Sequence, residues 1–187
     1  DMSSLSGVTG VTLNKFTDGI TVSNAILSTT FALNDFNVNN AADDVIIGYA
    51  SVTGTTDSAS ISTSNSTLQA VQVDAIETIS LTNSGDKATS IVTLDAAQAT
   101  TINVANTSTA TAGLKITAVG DNTATKMAFT GSGKTTATGP LSTGLTTLDG
   151  SKATGVLDLN VSTNANNMTL TTGSGNDRIE AGTVGTN

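Results

Sequence analysis

Nine residues near the C-terminal end, Thr172-Gly-Ser-Gly-Asn-Asp-Arg-Ile-Glu180, combine what a hard cation needs. Gly173 and Gly175 allow backbone carbonyls to curl inward. Asp177 supplies an anionic oxygen, and Ile179 anchors the strand that follows. Gly173, Gly175 and Asp177 are therefore the candidate metal ligands, with calcium as the candidate ion. The stretch follows the nonapeptide G-G-x-G-x-D-x-U-x, with Thr172 standing where the first glycine would be.

Other candidate chemistry is weaker. Ala128-Phe-Thr-Gly-Ser-Gly-Lys134-Thr135 has the outline of a phosphate loop, but such a loop needs a helix directly after its lysine. Gly139 and Pro140 stand where that helix would run. Ser84-Gly-Asp-Lys87 has the spacing of a serine–lysine nucleophile pair, a chemistry that requires a helical turn and a buried lysine; here it reads as an exposed turn. Asp43 and Asp44 are adjacent, so on a strand they point to opposite faces and make a poor acid–base pair. Sequons at Asn65, Asn106, Asn160 and Asn167 are unremarkable at this composition. With no histidine and no cysteine, the commonest general base, thiol chemistry and disulfides are all missing. The expectation is a chain that is not an enzyme.

The elements that must position the turn are β-rich. Threonine makes up about a fifth of the chain, and its β-branched side chain suits a pleated surface. Aromatic residues are 3% of the chain, namely Phe16, Phe31, Phe36, Tyr49 and Phe129, so aliphatic and small residues must fill a thin interior. The net charge is −8 and the seven Lys and Arg residues are scattered. No basic patch exists to neutralise phosphates, which argues against nucleic acid as a partner and leaves divalent cations compatible. No run approaches ~18 apolar residues, the length that would insert into a membrane.

From about residue 67 one pattern recurs: two polar residues, an apolar–polar alternation, then small polar turn residues. Its leading apolar positions are Ile79, Ile102, Met127, Leu148 and Met168. Second short strands are expected at 91–94, 114–119 and 156–161. Two strands per period of about 20–25 residues suggest an all-β, parallel β-solenoid or β-helix-like stack, with a β-sandwich as the alternative. Period-two alternation places Ile79 with Leu81, Ile102 with Val104 and Met127 with Phe129 on one face. Residues 1–66 read as a less regular β-rich segment, 67–172 as the repeat-bearing region, and 173–187 as the start of a further repeat type. Within these, 53–67 is a loop, a weak strand or a boundary. The stretch 66–77 has the mixed propensity of a short helix, and 95–99 that of one helical turn.

The stretch from Leu145 to Gly182, "LTTLDGSKATGVLDLNVS … NNMTLTTGSGNDRIEAG", resembles the repeats of RTX-type bacterial surface-layer proteins and large RTX adhesins. Weaker echoes extend back to about Glu77, and residues 1–66 match only in composition. The resemblance implies a secreted cell-surface protein, exported by type I secretion through an uncleaved C-terminal signal, of which this chain is a piece. It implies a structural role in a calcium-dependent lattice formed by self-association, or a cell- or glycan-binding role in an adhesin, with cell-surface polysaccharide as a further partner. In that family a calcium ion sits between stacked turns that are two nonapeptide lengths apart. Leu159 lies at that distance before Asp177, so the resemblance implies only a partial calcium half-site here.

Overall fold

The computed structural model describes residues 1–120 and 123–182. Among them are sixteen strands and no helix. One sheet contains, in spatial order, β1 (Gly10–Asn14), β3 (Thr30–Asn34), β5 (Ser58–Ser64), β7 (Thr78–Ser84), β9 (Thr101–Asn106), β11 (Lys126–Gly131), β13 (Thr147–Ala153) and β15 (Thr169–Thr171). The other runs from β16 (Arg178–Ala181) through β14 (Leu157–Val161), β12 (Thr135–Ala137), β10 (Leu114–Gly120), β8 (Thr89–Asp95), β6 (Thr67–Val73) and β4 (Val45–Tyr49) to β2 (Ile20–Ala25). Odd strands build one sheet and even strands the other, so each coil of chain adds one strand to each. Every pairing between these strands is parallel. That is a β-solenoid, and it excludes the sandwich alternative, whose hairpins would pair antiparallel.

In-register stacking turns the alternation of each strand into columns that run along the solenoid. Phe31, Ile61, Leu81, Val104 and Phe129 form one. Ala59, Ile79, Ile102, Met127 and Leu148 form a second beside it. Facing them from the other sheet are Leu68, Ile91, Ile116, Ala137, Leu159 and Ile179. All but Ile179 are buried. Stacked sheets lie about 10 Å apart, a gap that one layer of aliphatic side chains from each side fills, and this is why so few aromatics suffice.

Three sequence expectations are corrected. The stretch expected as a short helix is strand β6, because tertiary pairing with β4 and β8 outweighs its mixed propensity. Residues 95–99 form no helical turn; β8 ends at Asp95, and a tight turn closed by the Ala99 N–H on the Ala96 carbonyl (2.9 Å) follows. The residue stacked on Leu148 is Leu170, not Met168, because the last full coil of that sheet is slightly longer than the apolar spacing suggests. The polar run before residue 67 contains a full strand, β5, paired with β7 from Ser58↔Thr78 to Ser64↔Ser84. Both sheets run without interruption past residue 66, and the even-strand sheet continues past residue 172.

Threonine has a further use at the corners before β9, β11 and β13. Thr100, Thr125 and Thr146 are exposed. Each donates its hydroxyl to a backbone carbonyl one coil earlier: that of Glu77 (3.3 Å), Thr100 (3.4 Å) and Thr125 (3.2 Å) respectively. Each of these carbonyls also accepts two backbone N–H groups from the later coil, so the hydroxyl adds a third bond that ties the corner to its predecessor.

Candidate metal-binding turn

The corner leading from each odd strand to the next even strand is where the predicted ligands lie, and after β5, β7 and β9 it is polar inside. Alternation carries the inward face past the aliphatic positions to Thr63, Asn83 and Asn106, which stack in register and are fully buried. The Thr63 hydroxyl donates to Asn83 Oδ1 (3.0 Å), and Asn83 Nδ2 donates to Asn106 Oδ1 (3.0 Å). Asn106 Nδ2 then donates to the Lys134 carbonyl (2.6 Å) and to Thr135 Oγ1 (3.2 Å), while Asn106 Oδ1 also accepts the Ser108 N–H (3.0 Å). Ser66 plays the same part nearer the N-terminus: its Oγ accepts the Phe36 N–H (3.1 Å) and donates to the Ser64 carbonyl (2.7 Å). Burial of these groups is tolerable because their polar atoms find partners in the neighbouring coils.

Toward the C-terminus the same corner changes chemistry. A Cβ on Gly133 would lie 2.6 Å from Asn106 Oδ1, one on Gly155 would collide with the Gly133 carbonyl, and one on Gly175 would lie 2.6 Å from the Gly155 carbonyl. Backbone here packs directly on backbone, a contact only glycine permits. Gly173 is held equally close, against the Ala153 carbonyl.

The geometry brings the three predicted residues together. Asp177 Oδ2 accepts the Gly173 N–H (3.0 Å), closing the turn on itself, and Oδ1 accepts the Leu157 N–H one coil earlier (2.8 Å). Asp177 thus does for this coil what Ser66 and Asn106 do for earlier ones. The coil here is longer than two nonapeptides, since Asp158 pairs with Arg178. The residue one coil before Asp177 is therefore Leu157 rather than Leu159. The flanking carboxylates face outward into an ion-pair network: Arg178 contacts Asp158 (3.1 Å) and Glu180 (3.4 Å), and its guanidinium pKa is raised, chiefly by the hydrogen bond to Asp158.

As a cation site, the described part of the turn offers one carboxylate, each oxygen of which already accepts a backbone N–H. A calcium shell takes about six to eight oxygens. Among the described residues, no three acidic side chains converge on one point. What the turn can do by itself is lock the last described coil to its predecessor.

The two motif look-alikes fall in ordinary turns. Lys134 is followed by strand β12 rather than by a helix. Lys87 follows a turn in which Gly85 has φ +98°, and its N–H is held by Asn65 Oδ1 (3.0 Å). The residues that sequence reasoning missed are Thr63, Asn83 and Asn106. Their signal was present: each is the next inward position after an inward aliphatic (Ile61, Leu81, Val104), where period two demands a buried side chain.

The fold defines the chain as a parallel β-solenoid. No protein-family model, curated protein or solved structure matches it significantly. No helix among the described residues is long and apolar enough to cross a membrane.

Proposed function

We infer that this chain is a non-catalytic, structural segment of a secreted bacterial surface-layer protein that assembles a calcium-dependent lattice on the cell surface. The observation that supports this most is where the charge lies on the solenoid. The described strands carry Asp95, Asp149, Asp158 and Glu180 against Lys115, Lys126, Lys152 and Arg178, so the sheets are neutral as a whole. Every other described acidic residue lies outside the strands. Such a body has flat, hydroxyl-rich walls and negative edges. Copies repel edge to edge until a divalent cation screens or bridges the carboxylates. The Gly173–Asp177 turn contributes part of a calcium site that oxygens from a further turn would complete. Electron microscopy of the full-length protein tests this: ordered sheets form with calcium and disperse on chelation. Full-length protein that stays dispersed in calcium and binds a cell surface instead overturns the lattice reading. The second reading, a cell- or glycan-binding segment of an RTX adhesin, draws support from a polar groove on the outer face of the odd-strand sheet.

A further inference from the structure

That groove has a volume of about 380 Å³ and crosses β7, β9, β11 and β13. Its floor is low because Ala105 and Ala128 occupy adjacent outward columns of the sheet, where neighbouring coils carry larger residues. Around them stand Ser80, Thr82, Asn103 and Thr130, with Lys126 and Lys152 bracketing the groove along the strand direction.

Lys152 reaches this face only through an irregularity. Ala128 pairs with Asp149, but Thr130 pairs with Lys152, so β13 carries one extra residue. Strict alternation would have turned Ser151 outward beside Thr130 and sent Lys152 toward the core. Gly150 permits the bulge, since a Cβ there would lie 2.6 Å from Leu157 Cδ1. Bulges that re-aim one side chain are a recurrent device beside binding sites. The only acidic side chain in the groove, Asp149, accepts two hydrogen bonds from Ser151, N–H at 3.0 Å and hydroxyl at 2.6 Å. Those bonds and the two lysines hold its carboxyl below the usual range. The groove therefore carries one net positive charge on a chain whose net charge is −8.

We propose that this groove binds a strand of acidic, uronate-bearing polysaccharide running across the coils. The inference rests on the chain lying at a cell surface, whether as lattice or adhesin. Charge complementarity selects an anion, and a lysine on each flank of the groove suits carboxylates that project to either side of a polymer running between them. Hydrogen-bonding groups recur at the strand interval of about 4.8 Å, comparable to the length of one pyranose unit, so successive sugars meet successive coils. Protein partners are anchored by buried aromatic or arginine side chains and single-stranded nucleic acid by aromatic stacking; the groove has no such anchor, its one aromatic, Phe129, being buried in the core.

The test is a titration of this 187-residue chain with hexagalacturonate, and with a neutral glucose hexamer as control. Hexagalacturonate binds, the neutral hexamer does not, and added salt weakens the binding. Lys126→Gln with Lys152→Gln lowers affinity about tenfold, as two exposed charge pairs would. Lys126→Arg with Lys152→Arg retains binding, Ala128→Trp fills the groove and removes it, and Lys115→Gln on the opposite sheet changes nothing. Circular dichroism confirms that each variant is folded. No binding at millimolar hexagalacturonate, or binding indifferent to the glutamine pair, overturns the proposal. So does sedimentation showing that the groove joins two copies of the chain, with the glutamine pair separating them. Lattice formation by the full-length protein without glycan is scored separately, so the groove and the lattice fail independently.

Discussion

Phe16, Phe31, Phe36 and Tyr49 all belong to the first four strands and their connections, whereas Phe129 is the only aromatic residue after them. One early coil is long, Phe31 pairing as far along the chain as Ile61, whereas the first, from Gly10 to Thr30, is as short as the last, from Asp158 to Arg178. Ring contacts fill the interior at this end, Phe16 stacked on Phe36 at 5.3 Å and Phe31 edge-on to Tyr49 at 6.0 Å. Residues before β1 lie over that end, with Met2 buried and Asp1 Oδ1 accepting from the Ser3 N–H (2.9 Å) and Asn24 Nδ2 (3.0 Å). In the late coils, where Asp158 meets its partner at Arg178, glycine corners bring backbone onto backbone. Leu170, at the end of its column, is 41% exposed. The interior is filled by aromatic rings at one end and closed by glycine backbone contacts at the other, while the parallel ladder continues between them. The lesson is that a solenoid tolerates variation in coil length provided each corner is closed by some means suited to its width.

The contrast is broken most strongly at Phe31. Its truncation to Ala leaves a cavity among the ring-filled coils and costs about 3–5 kcal/mol, read as a lower denaturant midpoint; a loss under about 1 kcal/mol would mean the rings are not the filling that matters. Next comes Asn106→Ala, which strips partners from buried groups of two neighbouring coils and costs about 3 kcal/mol. Because coils interact mainly with their neighbours, hydrogen exchange should quicken at Ser108 and in β12 far more than in β2.

Asp177→Ala removes acceptors from two N–H groups and costs about 2 kcal/mol, confined to the last coils. Amides of Leu157 and Gly173 exchange faster while those of β5 and β7 do not. A calcium titration of the same variant asks a separate question, since wild-type binding lost in Asp177→Ala assigns the carboxylate to the ion as well as to the turn.

The smallest effect sharpens the aromatic end. Burial pushes the Tyr49 hydroxyl up to about 12 from its ordinary value of 10.0. The folded-state value is the higher one, so this contribution to stability is complete below pH 10 and is lost as pH rises through 12. Tyr49→Phe should cost under about 1 kcal/mol at neutral pH, where only the hydroxyl's 3.4 Å bond to the Thr29 carbonyl is lost. It should also flatten the alkaline unfolding limb, and an unchanged limb would refute the assignment.

Much of this was legible in the sequence because parallel stacking repeats a local pattern. Ile79, Ile102, Met127 and Leu148 declared both their face and their register, since alternation sets the first and a near-constant period the second. Periodicity failed where a single residue was inserted or a loop lengthened. Met168 stood in for Leu170, and the bulge at Gly150 that turns Lys152 outward was invisible. The stretch 66–77 was ambiguous because helix and strand propensities differ by less than the pairing energy two neighbouring strands supply.

By itself, the sequence determined a thin, acidic, threonine-rich chain of short strands, with one glycine–aspartate turn fit to approach a cation. Those properties follow from residue type and local spacing. Only the tertiary structure decided that Asp177 commits its two oxygens to backbone N–H groups, that Thr63, Asn83 and Asn106 form one buried ladder, and that two lysines flank a groove. Each depends on which residues of different coils lie side by side. Coil length varies from the long Phe31-to-Ile61 step to the short Asp158-to-Arg178 step, and that variation hides the register from any local reading.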